Sequence, residues 1–150
     1  MNDPKHGMTL IVKTVTRITV WLIILYGIYL ILHGHLTPGG GFGGGVIIAL
    51  AFLNVLLAYG RSFTKNWLNL KFMEDIEAAS ATLFLFMGIL GIALGGRFLT
   101  NFLGPGKPFT LFSAGHIPIL NILIGVKVGM CLFLVVWVLA ALRTGEGGEE

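Results

Sequence analysis

The chain has 150 residues, of which 55% are hydrophobic and 11% are charged, and its mean hydropathy is +0.89. Because a soluble domain carries about 25% charged residues, this composition excludes an ordinary water-soluble globular protein. The net charge of +3 follows the predicted loops and does not indicate nucleic-acid binding, and the single cysteine, Cys131, excludes an intramolecular disulfide.

Four apolar stretches each approach the roughly 20 residues that a helix needs to cross a hydrocarbon core. They cover about 15–33, 42–60, 76–96 and 119–142. This pattern predicts an all-α integral membrane protein, with four transmembrane helices in one bundle and a single domain over residues 1–150. Residues 144–150 are polar and glycine-rich, and we expect them to form a flexible tail.

The joint between the first two stretches contains a proline followed by six glycines in seven positions, 39–45. Glycine allows close approach of backbones and tolerates positive φ, so the joint predicts tight packing or an unusual turn. Its candidate structural residues are Pro38, Gly39, Gly40, Gly41 and Gly45. We expect Gly41 and Gly45 to face a neighbouring helix at close range.

Two further features follow the second stretch. Ser62–Asp75 mixes aromatic and basic residues, which is typical of a short segment lying along the membrane surface. The carboxylates of Glu74, Asp75 and Glu77 are then predicted to open the third helix, where they complement its positive end; entry of protons or cations is the alternative.

The connection Arg97–Pro118 contains too many glycines and prolines for one helix, and its phenylalanines predict that it folds back onto the membrane face. Small residues also recur four positions apart, which predicts close helix packing. The spacing occurs at Gly41, Gly45 and Ala49, at Gly91 and Gly95, and at Gly125 and Gly129.

Lys127 is the one charge well inside a predicted span, about 12 Å from Ile119 by the helical rise. We expect no carboxylate of this chain at the same depth. The lysine then extends to the interface, pairs with backbone oxygens and water, lines an ion path, or meets another subunit. Asn121 is a second polar candidate on the same helix, where an interhelical hydrogen bond is the simpler role.

His33, His35 and His116 are predicted to lie near one membrane interface. Such histidines could hold zinc, sandwich a haem, contribute to proton movement, or bond loop backbone. Because no cysteine or carboxylate lies on that side and the positions are open to water, we expect backbone bonding, with no metal and no cofactor. A small electron-transfer subunit with His-ligated haem is the alternative.

Lysine and arginine are distributed unequally between the two sides of the predicted bundle. Seven lie on the side of the termini and only Arg97 and Lys107 on the other; the seven are Lys5, Lys13, Arg17, Arg61, Lys65, Lys71 and Arg143. Because basic residues favour the cytoplasm, the N- and C-termini are predicted to be cytoplasmic.

Two motifs carry a family resemblance. The run His-Leu-Thr-Pro-Gly-Gly-Gly-Phe at 35–42 resembles the signature of the MnhB/MrpB subunit of multisubunit Na+/H+ antiporters. Residues 118–129 resemble that family's Pro-x-Leu-Asn-x-x-x-Gly-x-Lys-Val-Gly pattern, which includes Asn121, Gly125, Lys127 and Gly129. One departure is Gly43, where the family usually has glutamine.

The resemblance implies a multi-pass subunit of the cell membrane with no catalytic centre of its own. Such subunits work with other membrane subunits in Mrp-type complexes that exchange Na+ and H+. Similar subunits occur in membrane-bound hydrogenases and their sulfur-reducing relatives, and the sequence favours neither host. Lys127, His116, His35 and Asn121 are the candidates for an ion path or an intersubunit contact.

Overall fold

The structure is a computed structural model that describes residues 8–36, 38–94, 96–104, 106 and 113–144, with the backbone alone for 143 and 144. It contains the helices α1 (Leu10–His33), α2 (Gly41–Tyr59), α3 (Arg61–Trp67), α4 (Leu70–Ala93) and α5 (Ile117–Thr144). By length and composition, α1, α2, α4 and α5 could each cross a membrane. With no strand in these ranges, the predicted all-α class and four spans are confirmed.

The helix boundaries correct the sequence interpretation at the start of α4. This helix begins at Leu70 rather than near 76, because the Asn69 side chain caps it by accepting a hydrogen bond from the Phe72 N–H at 3.2 Å. The surface segment predicted for Ser62–Asp75 is therefore only the short α3. The first turn of α4 carries no acidic residue, so the prediction that Glu74, Asp75 and Glu77 open this helix is wrong.

The other boundaries differ less. Helix α1 begins at Leu10 rather than near 15, so the apolar residues before Lys13 already belong to it. Helix α4 ends at Ala93, and α5 covers Ile117–Thr144 around the predicted span 119–142. The rest of the predicted tail, 145–150, lies outside the described residues.

The helices form a row in which α2 packs between α1 and α5, and α4 packs chiefly on α5. At the end of the bundle near the termini, Leu56 of α2, Met73 of α4, and Phe133 and Trp137 of α5 form one buried cluster. A second cluster between α1 and α2 contains Val20, Ala51 and Val55. Together the two clusters join all four long helices.

Glycines form the contact between α2 and α5. A Cβ added at Gly45 would lie 2.6 Å from the Gly125 carbonyl oxygen, and one added at Gly41 would overlap the Asn121 carbonyl. Carbonyl oxygens this close leave no space for a side chain. The prediction that Gly41 and Gly45 face a neighbouring helix is confirmed, and the partner surface contains Gly125 and Gly129.

A second glycine contact, which the sequence interpretation missed, joins α2 to α1. A Cβ added at Gly44 would lie 2.7 Å from the Gly27 carbonyl oxygen, and one added at Gly27 would lie 3.1 Å from the Gly44 carbonyl oxygen. Gly40 has a separate role, because its φ of 100° and ψ of −177° place it in a region that only glycine occupies readily. The glycine run thus makes the turn into α2. It then allows α5 to approach one face of that helix and α1 to approach the other.

The connection after α4 returns over the end of that helix. The Leu99 N–H donates to the Gly88 carbonyl at 3.4 Å, and a Cβ added at Gly91 would lie 2.9 Å from the Thr100 nitrogen. Gly91 therefore packs on this loop, and the prediction that it serves helix packing is wrong. Its predicted partner Gly95 lies outside the described residues, as do 105 and 107–112 of the same connection.

We predict opposite effects for alanine at Gly45 and at Gly43. Gly45→Ala forces a Cβ to within 3.1 Å of three atoms of α5 and should destabilise the protein by about 1–3 kcal/mol. Gly43→Ala meets nothing within 4 Å and should be neutral or stabilising by up to about 1 kcal/mol, because alanine favours helix. Denaturant unfolding of the full chain in mixed micelles measures both. Equal destabilisation by the two variants would contradict the glycine contact between α2 and α5.

Candidate ion-pair site between α4 and α5

The site centres on an ion pair between the Lys127 ammonium Nζ and the Glu77 carboxylate Oε1. By the helical rise, Glu77 lies about 10 Å from the start of α4 and about 24 Å from its end. Lys127 lies about 15 Å along α5. The prediction that no carboxylate of this chain lies at the depth of Lys127 is therefore wrong.

The pair lies at the edge of the α4–α5 contact and is not enclosed by it. The Lys127 side chain is 44% exposed and that of Glu77 is 25% exposed. A groove of about 250 Å³ adjoins the lysine, between the two helices, and its walls include Ser80, Phe84 and Ile124. The Ser80 hydroxyl donates a hydrogen bond to the Ile76 carbonyl of the same helix at 2.8 Å, so its hydrogen is already used within α4.

Asn121, six residues before Lys127 on α5, faces the glycine joint. A Cβ added at Gly34 would lie 3.1 Å from its Nδ2, and its Oδ1 lies 4.0 Å from a Cβ added at Gly40. Six residues of α-helix turn through about 600°, which puts Asn121 and Lys127 on different faces. Asn121 thus belongs to the contact with α2, whereas Lys127 belongs to the contact with α4.

His116 lies at the start of α5 and is only 2% exposed. Its Nδ1 donates to the Asn101 Oδ1 at 2.9 Å, and its ring stacks on Phe102 with centroids 5.3 Å apart. The Asn101 amide in turn donates to the Ala114 carbonyl at 3.4 Å. These contacts fasten the returning loop to α5.

The other two histidines lie at the end of α1. His33 Nδ1 lies 3.1 Å from the Tyr29 carbonyl, and its ring stacks on Tyr29. His35 lies half-buried in the turn that follows the helix. Across the described ranges, no three His, Cys, Asp or Glu side chains form a group that could hold a metal ion.

The four candidate residues therefore do not share one set of contacts. Lys127 pairs with α4, His116 fastens a loop, Asn121 packs on the glycine joint, and His35 lies in the turn after α1. The sequence interpretation missed Glu77 because it started α4 too late. Asn69 was the available signal, since an asparagine before an apolar run is a preferred helix cap.

We predict that Glu77 and Lys127 are energetically coupled. Glu77→Gln and Lys127→Met each leave one partner without its counter-charge, whereas the double variant removes both charges. Because both side chains are partly accessible, we expect a coupling free energy of about 0.5–1.5 kcal/mol, between the values for exposed and buried pairs. A double-mutant cycle of unfolding free energies in mixed micelles measures it. Additive effects would contradict the ion pair.

Comparison with known proteins shows to which family the chain belongs. The sequence model described as "Domain related to MnhB subunit of Na+/H+ antiporter" matches residues 11–134. A Na+/H+ antiporter subunit of Bacillus subtilis is 35% identical over 104 residues, which cover 69% of this chain and 71% of that protein.

Two other relatives are longer than this chain. An uncharacterized protein of Methanocaldococcus jannaschii is 43% identical over 114 residues, covering 71% of this chain but only 43% of its own length. A chain in the structure of the membrane-bound sulfane sulfur reductase, an archaeal respiratory membrane complex, superposes with a TM-score of 0.73 at 35% identity. That match covers 91% of this chain and 62% of the other.

The family model matches α1 from its second residue, all of α2 and α4, and α5 as far as Leu134. The four apolar helices and the membrane location of the relatives agree with one another. The protein is a multi-pass membrane protein that belongs to the family of the MnhB subunit of Na+/H+ antiporters.

Proposed function

We propose that this chain is a non-catalytic membrane subunit of an ion-translocating complex. The host is a multisubunit Na+/H+ antiporter or the antiporter-like module of a membrane-bound respiratory complex of the hydrogenase or sulfur-reductase type. The partners are the other membrane subunits, and the transported ions are Na+ and H+. Family membership and the named relatives support this proposal.

The observation that carries the proposal is the exposure of the ion pair on a membrane-spanning surface. A charge on a lipid-facing helix is costly, and charges in spanning segments face other protein or water-filled space. Lys127 is 44% exposed even with Glu77 beside it. The exposed edge of the pair therefore needs a cover beyond the described residues of this chain. A neighbouring subunit, or a hydrated path between subunits, supplies that cover.

The exposed side of α4 is suited to such a neighbour. Helix α4 packs chiefly on α5, and large apolar side chains on its other faces are about half exposed. They include Leu83, Leu85, Phe86, Ile89 and Ile92. A partner helix along α4 would bury this surface and shelter the ion pair in the same contact.

The pair gives this surface a role in ion movement. An arriving cation competes with the Lys127 ammonium for the Glu77 carboxylate, and when the carboxylate is occupied the lysine charge repels further cations. Binding of a cation to Glu77 can thereby change the electrostatic potential that ions experience in an adjacent subunit. The chain contributes electrostatics to the path, and the complex carries out the exchange.

We expect Lys127→Met to lower Na+-dependent proton flux while the complex still assembles. Methionine keeps much of the stem volume and removes the charge, so packing changes little. In a host lacking the native gene, the variant and wild type are compared by pull-down of the complex and by flux in membrane vesicles. We expect a loss of flux of at least tenfold, about 1.4 kcal/mol in barrier terms.

A second carboxylate on α4, Asp75, provides the matched control for Glu77. Glu77→Gln should lower flux as Lys127→Met does, whereas Asp75→Asn, which removes an exposed charge two residues away, should leave it near wild type. Wild-type flux in both Lys127→Met and Glu77→Gln would remove the ion path from the proposal. Full exchange by the isolated chain would overturn the subunit assignment.

We also propose that the end of the bundle near the termini faces the cytoplasm, on the seven-to-two distribution of lysine and arginine. In a Cys131→Ala background, a membrane-impermeant thiol reagent added outside should label Leu103→Cys and spare Ser62→Cys. Both positions are exposed and lie at opposite ends of the bundle. The reverse labelling pattern would invert the orientation.

A further inference from the structure

A large groove lies at the end of the bundle near the termini, away from the ion pair. It has a volume of about 820 Å³ and lies where α3 turns into α4 against the last third of α5. We call it the α3–α5 groove. Its walls include Arg61 and Lys65 of α3, Lys71 of α4, and Leu134, Trp137, Val138 and Leu142 of α5. None of these residues takes part in the ion-pair site.

One end of the groove is positively charged. Among the described residues that line it, three side chains are basic, Arg61, Lys65 and Lys71, and one is a carboxylate, Glu74. The Arg61 guanidinium lies over the Trp137 ring, 4.9 Å from its centroid, which holds one of these charges at the wall of the groove. The local excess of positive charge favours an anion.

The other wall is apolar and follows the membrane-spanning part of α5. Leu134, Val138 and Leu142 are spaced four residues apart, so they lie along one face of the helix. Val138 is 55% exposed and Leu142 is 65% exposed. The groove therefore has a cationic end at the membrane surface and an apolar wall directed towards the bilayer centre.

We propose that the α3–α5 groove binds an anionic phospholipid. Its headgroup phosphate would lie among Arg61, Lys65 and Lys71, and one acyl chain would lie along the apolar wall. Only an amphiphile satisfies both ends at once: a soluble anion leaves the apolar wall uncovered, and a lipid-facing partner helix seldom carries the anionic group that the basic end requires. Trp67, which lines the groove and is about half exposed, suits the headgroup level, where aromatic rings concentrate.

The location of the α3–α5 groove also favours an anionic lipid as its ligand. The groove lies at the end where basic residues predominate, which is predicted to be cytoplasmic, and the cytoplasmic leaflet is the one rich in anionic lipid. Basic pockets between helices on that side are suited to phosphorylated headgroups. The lipid would also fill the corner between α3, α4 and α5, beside the buried cluster of Met73 and Trp137.

The test measures lipid affinity of the delipidated full chain in detergent by native mass spectrometry. Phosphatidylglycerol should bind more tightly than phosphatidylcholine of the same chain length. Lys65→Gln/Lys71→Gln should weaken phosphatidylglycerol binding on the order of 25-fold, since each surface charge contributes about fivefold. Val138→Trp keeps every charge and fills the groove, and it should weaken binding to a similar extent.

A matched variant tests whether the groove itself is responsible. Lys13→Gln/Arg17→Gln removes two charges at the same end of the bundle but on α1, and it should change affinity by less than about twofold. An equal loss in this variant, or unchanged binding in Val138→Trp, would overturn the groove as the site. Competition by soluble glycerol phosphate at lipid-like concentration would show a free anion site and would also overturn the proposal.

The assembled complex provides the second measurement. A photo-crosslinking residue at Val138 should attach to lipid in complexes purified from membranes. Attachment to a partner subunit in place of lipid would show that protein fills the groove, which contradicts the proposal.

Discussion

The close approach of α2 to its two neighbours is the constraint on which the rest of the bundle depends. In a bilayer no hydrophobic force draws apolar helices together, so contact must come from backbone proximity and van der Waals packing. Gly41 and Gly45 let α5 approach on one face, and Gly44 lets α1 approach on the other. Because these glycines follow one another within five residues, a single short segment positions three of the four spans. The turn at Gly40 delivers the chain to that position.

The glycine contact between α2 and α5 also determines where the charges can lie. By holding Gly125 and Gly129 against α2, it turns the Lys127 face of α5 towards α4 and away from the centre of the row. The lysine then finds its counter-charge on the outermost helix, at a position open to the surroundings. A charged pair buried between α2 and α5 would have no room, since backbone carbonyl oxygens of one helix already approach the glycine positions of the other. The glycine contact with α2 on one face of α5 and the ion pair with α4 on another are thus consequences of the same orientation of α5.

The sequence predicted the elements that depend on local or strongly periodic signals. Four spans follow from apolar length, and the role of Gly41 and Gly45 follows from their spacing. The sequence did not predict the partner of Lys127, because that prediction required the correct start of α4. Charged residues in the first turns of this helix interrupt the apolar pattern from which its start was inferred. The Asn69 cap decides that start and moves Glu77 two turns into the span. The loop contacts of Asn101 and His116 join residues 15 apart through an irregular connection, for which periodicity gives no signal.

These features divide the bundle into a tightly packed part, formed by α1, α2 and α5, and a more exposed edge formed by α4. Helices α1, α2 and α5 meet through glycines at backbone distance, an arrangement that resists sliding because any side chain added there collides with a carbonyl. Helix α4 lacks a glycine contact of this kind with α5. Besides its packing along α5, the described contacts that hold it include the cluster around Met73, the ion pair at Glu77, and the loop folded over Gly88 and Gly91. Elements with fewer buried contacts change position at lower free-energy cost. The Glu77–Lys127 pair therefore lies on the long helix with the smallest buried share, and the other faces of that helix carry exposed apolar side chains.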